Sequence, residues 1–493
     1  MRGSGILLPI ASLPSKYGIG AFSESAYKFI DQLKTAGQKY WQILPIGPTG
    51  YGDSPYQSFS TFAGNPYFID LDRLIEEGLL TQDECDEMDY GNNLRYIDYE
   101  KIYFSRFPIL KKAYSRSNCM ADPGYIAFQK ENEDWLEDYS LYMAIKDSYG
   151  GLSWVNWEAK LRYRDKATLE LYREKLENDV GFYKFIQYEF NKQWADIKSY
   201  ANNNGIKIIG DIPIYVAFDS ADTWSHPELF QIDDELNPIA VAGCPPDSFA
   251  EDGQLWGNPL YNWDVHKKSD YAWWIKRIDM SFRWYDILRV DHFKGFDEYY
   301  SIPYGETTAR NGKWMKGPGI EFFREIEKQL GKQDIIAEDL GYITESVREL
   351  LKETGFPGMK VLEFAFDSRE ESDYLPHNYN NNSVVYTGTH DNETLKGWFE
   401  TIPPEDKEYV LRYINRDRAS ADALVWDMIC LAQQSVADLC IIPVQDYLGL
   451  GNEARINTPS TVGLNWKWRL LEEDITEDLL LRIQSITKTY GRI

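Results

Sequence analysis

The chain has 493 residues and carries 52 Lys+Arg against 78 Asp+Glu, a formal net charge of −26. A balance this acidic repels nucleic acid and anionic lipid surfaces, so neither is an expected partner. It fits a protein acting on a neutral or cationic small molecule, and the 16 Trp, 35 Tyr and 23 Phe offer faces that can stack on sugar rings.

Gly5 to Leu8 reads as a first short strand, and the turn formers from Ser12 to Gly20 follow it. Ala26, Phe29, Ile30 and Leu33 have helical spacing, which predicts a helix from about Ser23 to Ala36 with Gly37 as its stop. Tyr40 to Leu44 is a second strand. The loop Pro45 to Tyr56 behind it is dense in Gly, Pro and Tyr, too elaborate for a simple connector. Residues 65–204 are polar, aromatic and helical in pattern, and are expected to form inserted subdomains. Ile206 to Ile212 is a third strand. A second insertion, 213–271, contains a Gly/Pro-punctuated loop from Gly243 to Tyr261 that reads as a lid or wall.

The fourth strand, Asp286 to Asp291, places a cation and a carboxylate two positions apart among apolar residues. Residues two apart on a strand share a face, so Arg289 and Asp291 should project together. Strands five to eight are expected at Asp334–Asp339, Met359–Phe364, Ser383–Asp391 and Cys440–Asp446, with helix-length segments between them. Pro443 weakens the eighth, because it cannot donate to a ladder. Eight strands alternating with helical segments predict an α/β chain: one (β/α)8 TIM barrel over 1–493, with large insertions after strands two and three. About 45 residues remain after strand eight, too few for a C-terminal β-sandwich.

Five scattered cysteines (Cys85, Cys119, Cys244, Cys430, Cys440) with no CxxC pair suggest neither a disulfide framework nor a zinc ribbon. The N-terminus lacks a signal-peptide pattern, and no stretch reaches the roughly 18 apolar residues of a membrane helix. A cytoplasmic protein is expected.

Chemistry in such barrels sits where the strands end. The acids at those ends are Asp211, Asp291, Glu338 and Asp391. Glycoside cleavage needs one carboxylate at the anomeric carbon and one carboxylic acid to protonate the leaving oxygen. Glu338, behind Ile335-Ile336-Ala337 and near other acids, is placed to stay protonated, while Arg289 would keep Asp291 ionised. His292 and His390 flank two of the acids and could hydrogen-bond sugar hydroxyls. A metal site is the rival use of Asp, His and Glu at strand ends, but no His-x-His or HExxH spacing supports it, so neither metal nor other cofactor is expected.

The longer motifs are Gly50-Tyr-Gly-Asp-Ser-Pro-Tyr-Gln57, Gly210-Asp-Ile-Pro-Ile-Tyr-Val216, the Gly243 to Tyr261 loop, Arg289-Val-Asp-His-Phe293, Ala337-Glu-Asp-Leu-Gly341 and Gly388-Thr-His-Asp-Asn-Glu393. In this order they resemble the amylomaltase family, the 4-alpha-glucanotransferases of the alpha-amylase superfamily, nearly end to end. The resemblance implies Asp291 as nucleophile, Glu338 as general acid/base and Asp391 as transition-state stabiliser. It implies sugar-binding roles for Tyr56, Asp211, Arg289, His292 and His390, with Trp256 and Asn258 on the loop over the acceptor side. Tyr51, in the Gly50 motif, is expected to stack on substrate. Two departures stand out: Ser248 replaces a Tyr that many members carry at the loop tip, and Leu8-Pro-Ile-Ala-Ser12 differs from the family's His-Pro-Thr-Ser pattern.

The expected activity is transfer of an alpha-1,4-glucan segment to a new 4-hydroxyl, on maltooligosaccharides or larger glucans, by a monomer or weak homo-oligomer. An alpha-glucan hydrolase shares the site and differs only in how water and acceptor compete. A metal-dependent barrel hydrolase and a non-catalytic glucan-binding protein are the remaining alternatives.

Overall fold

The computed structural model describes residues 2–50, 52–246, 251–341, 343–461 and 463–493. Its strands are β1 (Gly3–Leu7), β2 (Tyr40–Gln42), β3 (Lys207–Pro213), β4 (Ala240–Cys244), β5 (Gln254–Pro259), β6 (Ile287–Asp291), β7 (Glu298–Pro303), β8 (Lys313–Lys316), β9 (Ile335–Ala337), β10 (Gly358–Val361), β11 (Ser383–Tyr386) and β12 (Leu439–Pro443). Among the described residues eight of them close a parallel barrel in the order β1-β12-β11-β10-β9-β6-β3-β2. This is the (β/α)8 TIM barrel expected from the alternation of elements.

Period two divides each barrel strand between two cores. Leu7, Ile209, Ile336, Met359, Val361, Val384, Tyr386 and Ile441 form one buried cluster, the plug inside the barrel. The alternate residues, such as Ile208, Leu288, Val290, Ala337, Val385 and Cys440, join the larger core beneath the surrounding helices. Ile287 packs on the inner plug. Arg289 and Asp291 share its parity, and Asp211 shares that of Ile209, so their strand positions turn them inward above the plug. The helix Glu24–Thr35 shows how the outer layer is built: Ala26, Phe29, Ile30 and Leu33 are buried on one stripe, and Gly37 follows at φ +69°.

Five expected strands are shorter than their apolar runs suggest: β2 ends at Gln42 and β9 spans only Ile335–Ala337, and three more end early. β11 ends at Tyr386, so His390 and Asp391 stand on the loop above it. β10 ends at Val361, and Leu362–Phe364 is a 3-10 turn. β12 ends at Pro443, and Val444–Leu448 is helical. Apolar content alone does not distinguish a strand's last residue from the first buried residue of the loop or helix above it.

Among the described residues 65–204 contain helices and no named strand, chiefly Tyr99–Arg116, Glu133–Ser148 and Glu177–Asn203. The second inserted region does not stand alone. β4 and β5 pair with β7 and β8, which follow β6, in a sheet ordered β5-β4-β7-β8. The wall beside the barrel mouth is therefore shared by two crossovers. After β12 the chain returns through the helix Glu477–Thr489, and buried Arg492 donates to the carbonyls of Gly3 and Ala437 near the start of β1.

Candidate active site

Asp211 and Arg289 are directly opposite each other in the β3–β6 ladder. Arg289 Nη1 donates to Asp211 Oδ2 at 2.7 Å and to Asp291 Oδ1 at 3.0 Å. The shared face predicted for Arg289 and Asp291 is thus present. Burial opposes the charge on Arg289, but Asp211 and Asp291 outweigh it and hold the guanidinium protonated. The Asp211 side chain is 0% exposed, whereas that of Asp291 is 29% exposed and opens into the cleft.

Glu338 follows β9, one strand over. Its Oε2 accepts from the His292 N–H at 2.7 Å and its Oε1 from the Leu340 N–H at 2.8 Å. Withdrawal from water and the neighbouring Asp291 push its carboxyl up to about 7. The raised value expected from the sequence has the cause expected: apolar cover first, then a like charge.

His292 sits at φ +53°, which carries its N–H across to Glu338. Its ring lies edge-on to Trp256 at 4.9 Å between centroids. Burial lowers the imidazole to about 4, so it is neutral at pH 7. His292 Nε2 is buried with no hydrogen-bond partner among the described residues. A buried orphan of this kind fits a group waiting for a substrate hydroxyl.

On the other side, Tyr56 donates its hydroxyl to Asp211 Oδ2 at 2.8 Å and stacks on His390 at 5.1 Å, 15° from parallel. His390 Nε2 lies 3.3 Å from Asp391 Oδ1. Asn457 Nδ2 donates to the same oxygen at 2.6 Å, and Arg455 Nη2 donates to the Asp391 carbonyl at 2.7 Å. Asn258 is buried beneath the wall, donating to Val216 O at 2.8 Å and accepting from Gln57 at 3.1 Å. It shapes the wall by anchoring β5 to the barrel rim.

One cleft of about 3800 Å³ is lined by Tyr56, Trp256, Asn258, Arg289, Asp291, His292, Glu338, His390 and Asp391. Asp211 lies just beneath it. Tyr51 and Ser248 lie outside the described residues. Sequence reading missed Arg455, Asn457 and Trp466. Their only signal was the turn-rich run Asn457-Thr-Pro-Ser460 before a Trp, in a segment that carries no barrel strand. It also passed over Glu363, which stands in the 3-10 turn just after β10 and lines the cleft. Burial pushes that carboxyl well up, with Asp446 and Glu393 adding to the effect. Among the described residues no group of three or more His, Cys, Asp or Glu is disposed to hold a metal ion.

A closed parallel barrel with carboxylates gathered at the C-terminal ends of its strands, under an aromatic wall, defines a barrel enzyme of the glycoside-processing kind. A family model described as 4-alpha-glucanotransferase matches residues 8–474. The 4-alpha-glucanotransferase of Clostridium butyricum is 51% identical over 485 residues, 98% of this chain and 99% of the relative. That of Thermus thermophilus is 44% identical over 501 residues, 100% and 99% of the two chains. A solved amylomaltase from Streptococcus agalactiae, in complex with acarbose, superposes with a TM-score of 0.96 at 44% identity, covering 100% of both chains. The chain belongs to the 4-alpha-glucanotransferase family, whose members include the amylomaltases. It is a transferase acting on alpha-glucans.

Proposed function

We propose that this enzyme exchanges segments between alpha-1,4-glucans by a retaining double displacement. Asp291 attacks the anomeric carbon while Glu338 gives its proton to the departing glycosidic oxygen. The sugar remains as an ester on Asp291. Glu338, now ionised, takes the proton of an incoming 4-hydroxyl as that oxygen displaces Asp291. Two inversions restore the original anomeric configuration.

The observation that carries this reading is the difference between the two acids. Glu338 is pushed up to about 7, while Asp291, within a hydrogen bond of Arg289, is paired with a permanent cation. Glu338 can hold a proton for the leaving oxygen, and Asp291, paired with Arg289 and open to the cleft, is placed to attack, which is the division of labour the chemistry needs. Asp391, fixed by Asn457 and Arg455, is assigned to the sugar hydroxyls that bind more tightly as the ring flattens. Tyr56, Arg289, His292 and His390 are assigned to the sugar at the point of cleavage, and buried Asp211, expected to bind sugar, is assigned instead to hold Arg289 and Tyr56 from beneath. Trp256 and Asn258 belong to the acceptor side.

Transfer prevails over hydrolysis when an acceptor occupies the cleft and water is kept out. The inserted regions, 65–204 and 213–271, are assigned that enclosing role around a single catalytic barrel. The enzyme is expected to work in the cytoplasm, as a monomer or weak homo-oligomer. No helix among the described residues is long and apolar enough to cross a membrane. Incubation with maltotriose is the test. Glucose plus a ladder of longer maltooligosaccharides is the expected result. Shortening alone, with reducing ends accumulating at every turnover, would make the chain a hydrolase.

A further inference from the structure

Trp466 lies beyond the last barrel strand and outside every motif that carries an acid. Its backbone has φ +66°, a left-handed conformation strained for a bulky side chain. Two hydrogen bonds hold it there. Its N–H donates to Ile456 O at 2.7 Å, and its carbonyl accepts from the Tyr99 hydroxyl at 2.8 Å. Tyr99 is the first residue of the helix Tyr99–Arg116, part of the inserted helical region.

The Trp466 ring touches two functional rings at once. It is 5.8 Å from Tyr56 and 5.9 Å from His390, tilted 44° and 38°. Tyr56 and His390 stack on each other, and each faces an acid: Tyr56 bonds Asp211, and His390 lies against Asp391. Tyr56 arrives on a loop whose Gly52 and Asp53 are both at positive φ; among the described residues of that loop no named strand or helix carries Tyr56, and the isolated bridge of Thr49 with Ser58 only closes the loop's base. A two-ring stack resists separation but slides easily in its plane. A third ring tilted against both restricts that freedom. Strained backbone persists only where its surroundings over-determine it, and it gathers where positioning matters.

We propose that Trp466 is a positioning residue. Through its carbonyl, Tyr99 lets the inserted helices set the Tyr56–His390 stack that aims Asp211 and Asp391. This rests on the role given above to Asp391, but it fails separately. Full activity in Asp291→Ala would overturn the mechanism, whereas the variants below leave all the acids in place.

The experiment measures kcat and KM for maltotriose disproportionation, with thermal midpoints, in full-length Tyr99→Phe, Trp466→Phe, Trp466→Ala and the Tyr99→Phe/Trp466→Ala double variant. Trp466→Ala is expected to lower kcat about 10–100-fold, the scale of a misplaced catalytic group, with KM kept within about threefold. Trp466→Phe recovers most of the loss, because a ring is restored. Tyr99→Phe removes one oxygen and lowers kcat in the same sense with KM kept. In the Trp466→Ala background it adds no further loss, because there is no ring left to set. Three results would overturn the proposal: an unchanged kcat in Tyr99→Phe, losses that multiply in the double variant, or a rise in KM at unchanged kcat. The last would make Trp466 a sugar-stacking contact. If Trp466→Ala does not fold, Tyr99→Phe and Trp466→Phe decide the matter by the same split.

Discussion

The His292 backbone donates to the Glu338 carboxylate at 2.7 Å from a position one residue after Asp291. The proposed acid is therefore tied to the strand of the proposed nucleophile by main chain, not by a mobile side chain. The left-handed turn at His292, φ +53°, makes the reach possible. Two N–H donors favour the ionised form of Glu338, yet cover from water and the charge of Asp291 prevail.

Activity should follow that balance. Donor cleavage needs Glu338 protonated, so kcat/KM should fall as pH rises through about 7, approaching about tenfold per pH unit above it. Initial rates on maltotriose between pH 5 and 9 check this. A flat profile across that window removes Glu338 as the acid.

Stability should move in the same direction. The Glu338 carboxyl titrates at about 7 in the folded chain against a usual 4.5. Between these values the folded state binds more protons than the unfolded one, so stability falls as pH rises. The contribution is complete below 4.5 and is lost through about 7. Glu338→Gln, which stays neutral, should raise the thermal midpoint at pH 8 relative to the parent. The gain should vanish near pH 4, as calorimetry at the two pH values would show.

Loss of either central carboxyl should be severe. Asp291→Ala removes essentially all transfer, and Glu338→Gln costs on the order of 10²–10⁴-fold in kcat through the missing proton transfer. Near-parental rates in a folded variant of either would refute the assignment.

Arg289 carries a structural load as well as a chemical one. Its guanidinium is 4% exposed and pairs with Asp211 at 0%. Arg289→Met would strand a buried carboxylate beside a second one, a loss of about 3–5 kcal/mol of folding stability. Urea denaturation reads this directly, and the deficit should shrink in Arg289→Met/Asp211→Asn. An equal deficit in both would mean the pair is not what holds the strands.

The barrel was legible because strand periodicity is local. Ile287, Leu288 and Val290 around Arg289 and Asp291 specify both an inner and an outer face within five residues. The same logic placed Asp211 and Glu338 at the ends of neighbouring strands. It overlooked Glu363, which the expected strand Met359–Phe364 included but which stands in the 3-10 turn Leu362–Phe364 after β10. The antiparallel sheet β5-β4-β7-β8 was not legible either. Its partners come from two separate crossovers, and no local pattern says which edges will meet.

Amino-acid order by itself determined the alternation of eight strands with helices and the shared face of Arg289 and Asp291, since spacing along one strand settles both; that Arg289 also meets Asp211 depends on β3 pairing with β6. Only the tertiary structure decided that Asn457 would grip Asp391 and that Trp466 would wedge against Tyr56 and His390. Those contacts join positions from 66 to 410 residues apart. They form because closing the barrel returns the C-terminal segment to its mouth, and the ladder pairing of β1 with β12 that closes it is a long-range hydrogen-bonding choice no short window of sequence contains.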